Sequence, residues 1–65
     1  MKWVKKENGD WIAQGEKGHF ILWKDGKIWK GLYMVEFGNV VKFRFWKRDL
    51  KTAKKFCEEN YNWEI

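Results

Sequence analysis

Few side chains in this sequence are capable of covalent chemistry. It contains one histidine, His19, one cysteine, Cys57, and no serine. A thiolate–imidazole pair is the one nucleophilic arrangement these residues allow. Cys57, however, falls at helical spacing with Leu50, Ala53 and Phe56, and a free cysteine on such a stripe behaves as a small hydrophobe. His19 opens an apolar run beside a turn, where a solvated strand-end histidine is expected. One imidazole and one thiol do not make a zinc site, which needs several ligands at defined spacing. Gly15-Glu16-Lys17-Gly18 lacks both the Gly-Lys-Ser/Thr sequel and the following helix of a phosphate-binding loop. No catalytic residue, metal ligand or cofactor is expected, and the chain reads as a non-enzyme.

A second pattern points to binding. In Val40–Lys47, Lys42, Arg44 and Trp46 fall on alternate positions and so on one face of a strand. Lys30 occupies the corresponding face of the preceding strand, and Lys47 and Arg48 carry the charge towards a helix. Lys24 and Lys27 flank Asp25-Gly26, and Lys51, Lys54 and Lys55 form another basic patch, expected opposite the apolar stripe of the helix. With 14 basic and 9 acidic residues the formal charge is +5, which favours anionic partners: nucleic acid, an acidic protein surface or anionic lipid. Alternating cations with a ring between them can touch phosphates while the ring stacks. The same residues also suit a solvated sheet face on which Trp46 packs across strands onto Met34 or Leu32.

These residues must be positioned by strands. Asn8-Gly9, Gly15–Gly18, Asp25-Gly26 and Gly38-Asn39 are turn signals at intervals of about ten residues, and Asn-Gly and Asp-Gly favour the primed hairpin turns. Between them lie five expected strands: Lys2–Lys6, Asp10–Gln14, His19–Lys24, Lys27–Phe37 and Val40–Lys47. A type I′-like turn at Asn8-Gly9 is expected, and Gly31 in the long fourth strand implies a bulge or the close approach of another backbone. The period then changes to 3.6. Leu50, Ala53, Phe56, Cys57 and Tyr61 form one stripe of a helix over Asp49–Tyr61, with Asp49 as N-cap and Asn60 or Asn62 as its end. Trp63 is expected to fold back from the tail.

Consecutive hairpins pair in order, so the fold class is α+β: an antiparallel β-meander of four to five strands with one C-terminal α-helix packed on one face. With no proline and no linker, residues 1–65 form one domain. Thirteen of 65 residues are aromatic, enough for a core without disulfides. The inward set is expected to be Val41, Phe43 and Phe45 on the fifth strand, leaving Val40, Lys42, Arg44 and Trp46 outward. On the fourth it is Trp29, Gly31, Tyr33, Val35 and Phe37. The third offers Phe20 and Leu22, or Ile21 and Trp23.

The single cysteine permits no intramolecular disulfide, which fits a reducing compartment, and MKWVKKENGD lacks an apolar signal core. The longest apolar run, His19–Trp23, is far too short to span a bilayer. A cytoplasmic protein that avoids membranes, monomeric or weakly homodimeric through an edge strand, is expected.

The order Gly9-Asp10-Trp11-Ile12-Ala13, hairpins, then Asp49-Leu50-Lys51-Thr52-Ala53-Lys54-Lys55-Phe56 resembles small meander-plus-helix proteins of phages and mobile elements. More loosely it resembles AP2-type and integrase arm-type DNA-binding domains, which read duplex DNA with a three-stranded sheet backed by a C-terminal helix. Gly9, Trp11, Ala13, Leu50, Ala53 and Phe56 carry that likeness. Five strands stand here in place of three, and Trp46-Lys47-Arg48-Asp49 in place of a Gly-aromatic-x-Thr junction, so no site residue is transferred. The expected function is a small basic binding module for nucleic acid, using Lys30, Lys42, Arg44, Trp46, Lys47 and Arg48. The alternative is a phage- or element-encoded protein that binds and modulates a host protein.

Overall fold

The structure, a computed structural model, describes residues 2–15, 18–35 and 40–60. Five strands, β1 (Trp3–Lys5), β2 (Trp11–Gln14), β3 (Gly18–Asp25), β4 (Ile28–Val35) and β5 (Val40–Lys47), precede one helix, α1 (Leu50–Asn60). The strands form one antiparallel sheet in the order β1-β2-β3-β4-β5, and α1 packs across β4 and β5. The meander and its C-terminal helix are therefore as the turn spacing and the change of period require. Glu36–Asn39, where the Gly38-Asn39 turn and the end of the fourth strand are expected, lie outside the described residues. So do Glu16, Lys17 and the tail from Tyr61 with Trp63.

The turns explain the registers. The first hairpin differs from the expected two-residue turn. The Gly9 amide donates to the Lys6 carbonyl (3.0 Å) and the Lys6 amide to the Asp10 carbonyl (2.7 Å), so the loop is Glu7-Asn8-Gly9. Gly9, at φ +95°, supplies the left-handed residue that a three-residue loop needs. The Asn8 side chain secures it by accepting from the Asp10 amide at 3.0 Å. In the β3–β4 hairpin Asp25 pairs with Ile28, which leaves Gly26-Lys27 as the loop, with Gly26 at φ +66°.

Each strand presents one side to the helix. Phe20, Leu22 and Tyr33 are fully buried there with Ala13, Ala53 and Cys57. Trp3, Trp11, Trp29, Val35, Phe43, Phe45 and Leu50 pack around them. The third strand is thereby settled: Phe20 and Leu22 face the helix, and Ile21 and Trp23 face away. The rings interlock. Phe20 and Tyr33 have centroids 4.7 Å apart, Tyr33 and Phe43 5.5 Å, and Phe45 and Phe56 4.4 Å. Pairs of this kind add about 0.5–1.5 kcal/mol beyond their area burial.

Gly31 is neither bulged nor pressed by another backbone. A Cβ there would overlap Cζ of Phe45 and Cδ2 of Leu22, so its missing side chain makes room for theirs. The irregularity lies two residues on. Tyr33 pairs with Phe43 but Met34 with Val41, which makes Lys42 an extra residue in β5. Burial nevertheless keeps the expected alternation across this irregularity: Val40 is 51% exposed, and Val41 is half-buried like Phe43 and Phe45.

Candidate functional site: the open face of the sheet

The side of the sheet away from α1 is assembled by register. One cross-strand row runs Val4–Ile12–Ile21–Leu32–Arg44, and a neighbouring row runs Trp23–Lys30–Trp46. The first is apolar over four strands and ends on a guanidinium. The second places Lys30 between two tryptophans in the register. Trp46 is 58% exposed and Val4 52%.

The six expected binding residues divide by position. Lys30, Arg44 and Trp46 share the open face. The Lys30 ammonium is 2.7 Å from the Asp25 carboxylate, which lies on the same face beyond Trp23, towards the hairpin turn. Lys42 is exposed at the bulge. Arg48 is exposed in the link to α1 and lines a hollow with Trp46, Lys47, Asp49 and Thr52. Lys47 does not join the face. It pairs with Trp29, so it alternates to the helix side, where its ammonium sits 4.5 Å from the Phe56 ring centroid.

The helical lysines also separate. Lys54 is not opposite the apolar stripe: its ammonium lies 3.5 Å from the Trp11 ring centroid and 5.8 Å from that of Trp3. Such cation–π contacts are worth about 0.5–2 kcal/mol, so Lys54 closes the edge of the core over β1 and β2. Lys51 and Lys55 remain exposed.

Trp23 is the residue of this face that the alternation of β4 and β5 alone does not reveal. It lines a cleft of about 320 Å³ with Lys30, Gly31, Arg44, Phe45 and Trp46. Its signal was the short β3–β4 loop, since pairing across a two-residue turn puts Trp23 on the same face as Ile28 and Lys30.

The residues suited to covalent chemistry are kept apart. Cys57 is buried under the sheet, and burial pushes its thiol up to about 12 with a smaller push from Glu58. His19 pairs with Met34 and Gln14 on the other side of the sheet. Among the described residues, no group of three or more His, Cys, Asp or Glu is placed to hold a metal ion. No described helix is long and apolar enough to cross a membrane.

Fold and surface together define a class: a small α+β meander with one face under a helix and the other an open aromatic, apolar and cationic sheet. No family model, curated protein or solved structure matches the chain.

Proposed function

We propose that this chain is a non-enzymatic binding module and that its open sheet face engages nucleic acid. The reading rests on one observation: Trp23, Lys30 and Trp46 stand side by side on three strands, with Arg44 adjoining. Rings supply sequence-tolerant stacking, and the cations supply phosphate contacts. Lys42 on β5 and Arg48 in the link to α1 extend the charge, whereas Lys47 belongs to the helix side. Titration of random-sequence DNA at about 50 and 200 mM salt tests this. With two to four phosphates neutralised, log K should fall against log salt with a slope of roughly −1.4 to −3.6. Absence of binding at the lower salt, or a flat salt dependence, overturns the reading.

A protein partner is the second reading, and the apolar row Val4–Ile12–Ile21–Leu32 favours it, because interface centres are apolar and depleted of charge. A phage- or element-encoded modulator of a host protein would use this row. A partner captured by the wild type after nuclease treatment, and lost from Ile21→Lys, would select this reading over the first.

A further inference from the structure

The geometry points to a single strand, not a duplex, as the nucleic acid bound on the open face, with one unstacked base held between Trp23 and Trp46. This rests on the nucleic-acid reading and goes further by naming the conformation and the contact. The two indoles sit on the strands that flank β4, so their backbones are two strand spacings apart, about 9.5 Å. A flat ring in van der Waals contact on both sides needs roughly 7 Å, twice the usual carbon–carbon contact distance. A modest inward lean of two tryptophans closes that difference.

The space between them is open on the needed side. The cleft of about 320 Å³ extends past Lys30 to Gly31, Arg44 and Phe45. The Lys30 ammonium is drawn the opposite way, to Asp25 at 2.7 Å, which leaves its aliphatic stem as the floor. Arg44, at the Phe45 end of the cleft, is placed to meet a phosphate next to the bound base. Ile21 and Leu32 continue the apolar platform along β3 and β4. The bases of a duplex are stacked inside and present no free ring to such a slot, whereas a single strand presents every base. Charge complementarity selects the occupant: the cleft carries Lys30 and Arg44, and the nearby Asp25 carboxylate is already engaged by Lys30.

The test compares three fluorescently labelled probes at about 50 mM salt: decathymidylate, an abasic strand of the same length, and a ten-base-pair duplex. Decathymidylate should bind about tenfold or more tightly than the abasic strand, which has the phosphates but no rings, and more tightly than the duplex. Trp46→Ala, at an exposed position, should erase that preference while leaving the circular dichroism spectrum unchanged, and Trp46→Phe should retain most of it. Equal affinity for the abasic strand, preference for the duplex, or an unaffected Trp46→Ala variant overturns the base-stacking inference and leaves the nucleic-acid reading standing. Failure of all three probes to bind overturns both.

Discussion

Cys57 shows at the residue scale how environment decides chemistry. Its position on the helical stripe was readable from spacing to Leu50, Ala53 and Phe56, and the structure adds complete burial. Removing the thiol from water disfavours the thiolate, and Glu58 opposes the negative charge further. The folded state keeps its proton up to about 12, while the unfolded chain releases it near 9.0. Above the latter value the unfolded state binds fewer protons, so stability falls as pH rises from about 9 towards 12. Chemical denaturation at pH 7, 9 and 10.5 should show this decline in the wild type. Cys57→Ala should show a shallower one. Equal slopes in the two proteins would mean that Cys57 ionises as freely in the folded state as in the unfolded one.

At the scale of elements, the strands and helix were legible because each is bracketed by a local signal. The helix start is the sharpest case. The Asp49 carboxylate accepts from the Thr52 amide at 2.7 Å, satisfying a first-turn donor that otherwise lacks a partner, and the Asp49 carbonyl accepts the first bond of the helix, from Ala53 at 3.1 Å. At the other end, the Asn60 side chain donates to the Phe56 carbonyl at 2.8 Å. The hydrogen bonds from Thr52 hold the Asp49 carboxyl below its usual 3.8. A depressed folded value means a contribution present above 3.8 and lost as pH falls through the lower folded value. Asp49→Ala should lower the melting temperature at pH 7 by roughly 4–8 °C, and the gap to wild type should narrow below pH 3. Asp49→Asn, which keeps the acceptor without the charge, should melt between wild type and Asp49→Ala at pH 7. A gap for Asp49→Ala that is the same at pH 7 and pH 2.5 would show that the charged cap is not responsible. The bulge was not legible. Lys42 differs in no local way from Arg44, and nothing in Val40–Lys47 marks the point where pairing slips. The offset is set by how β5 meets β4 across the sheet. The facing of β3 was legible in principle, because any two-residue loop after Asp25 puts Trp23 with Lys30.

At the scale of the whole molecule, the sheet separates two sets of residues that are interleaved in sequence. The helix side holds the core, and the open side holds the cations and rings that a partner would meet. Folding and binding should therefore respond to different substitutions. A chain of 65 residues carries roughly 3–10 kcal/mol of stability at the usual value per residue. Leu22, fully buried between Gly31 and the ring cluster, should cost about 2–5 kcal/mol when cut to alanine, half or more of the smaller total. Leu22→Ala should then melt well below wild type and be partly unfolded at 37 °C. Trp46→Ala and Arg44→Ala remove exposed groups from the opposite side and should stay within about 0.5 kcal/mol of wild type. Urea denaturation of the three variants checks this: the midpoint should drop strongly for Leu22→Ala alone. A comparable drop for Trp46→Ala would mean that the open face is tied into the fold's own stability. Its rings would then be holding the sheet together, and a binding role for them would need support from the probe titrations alone.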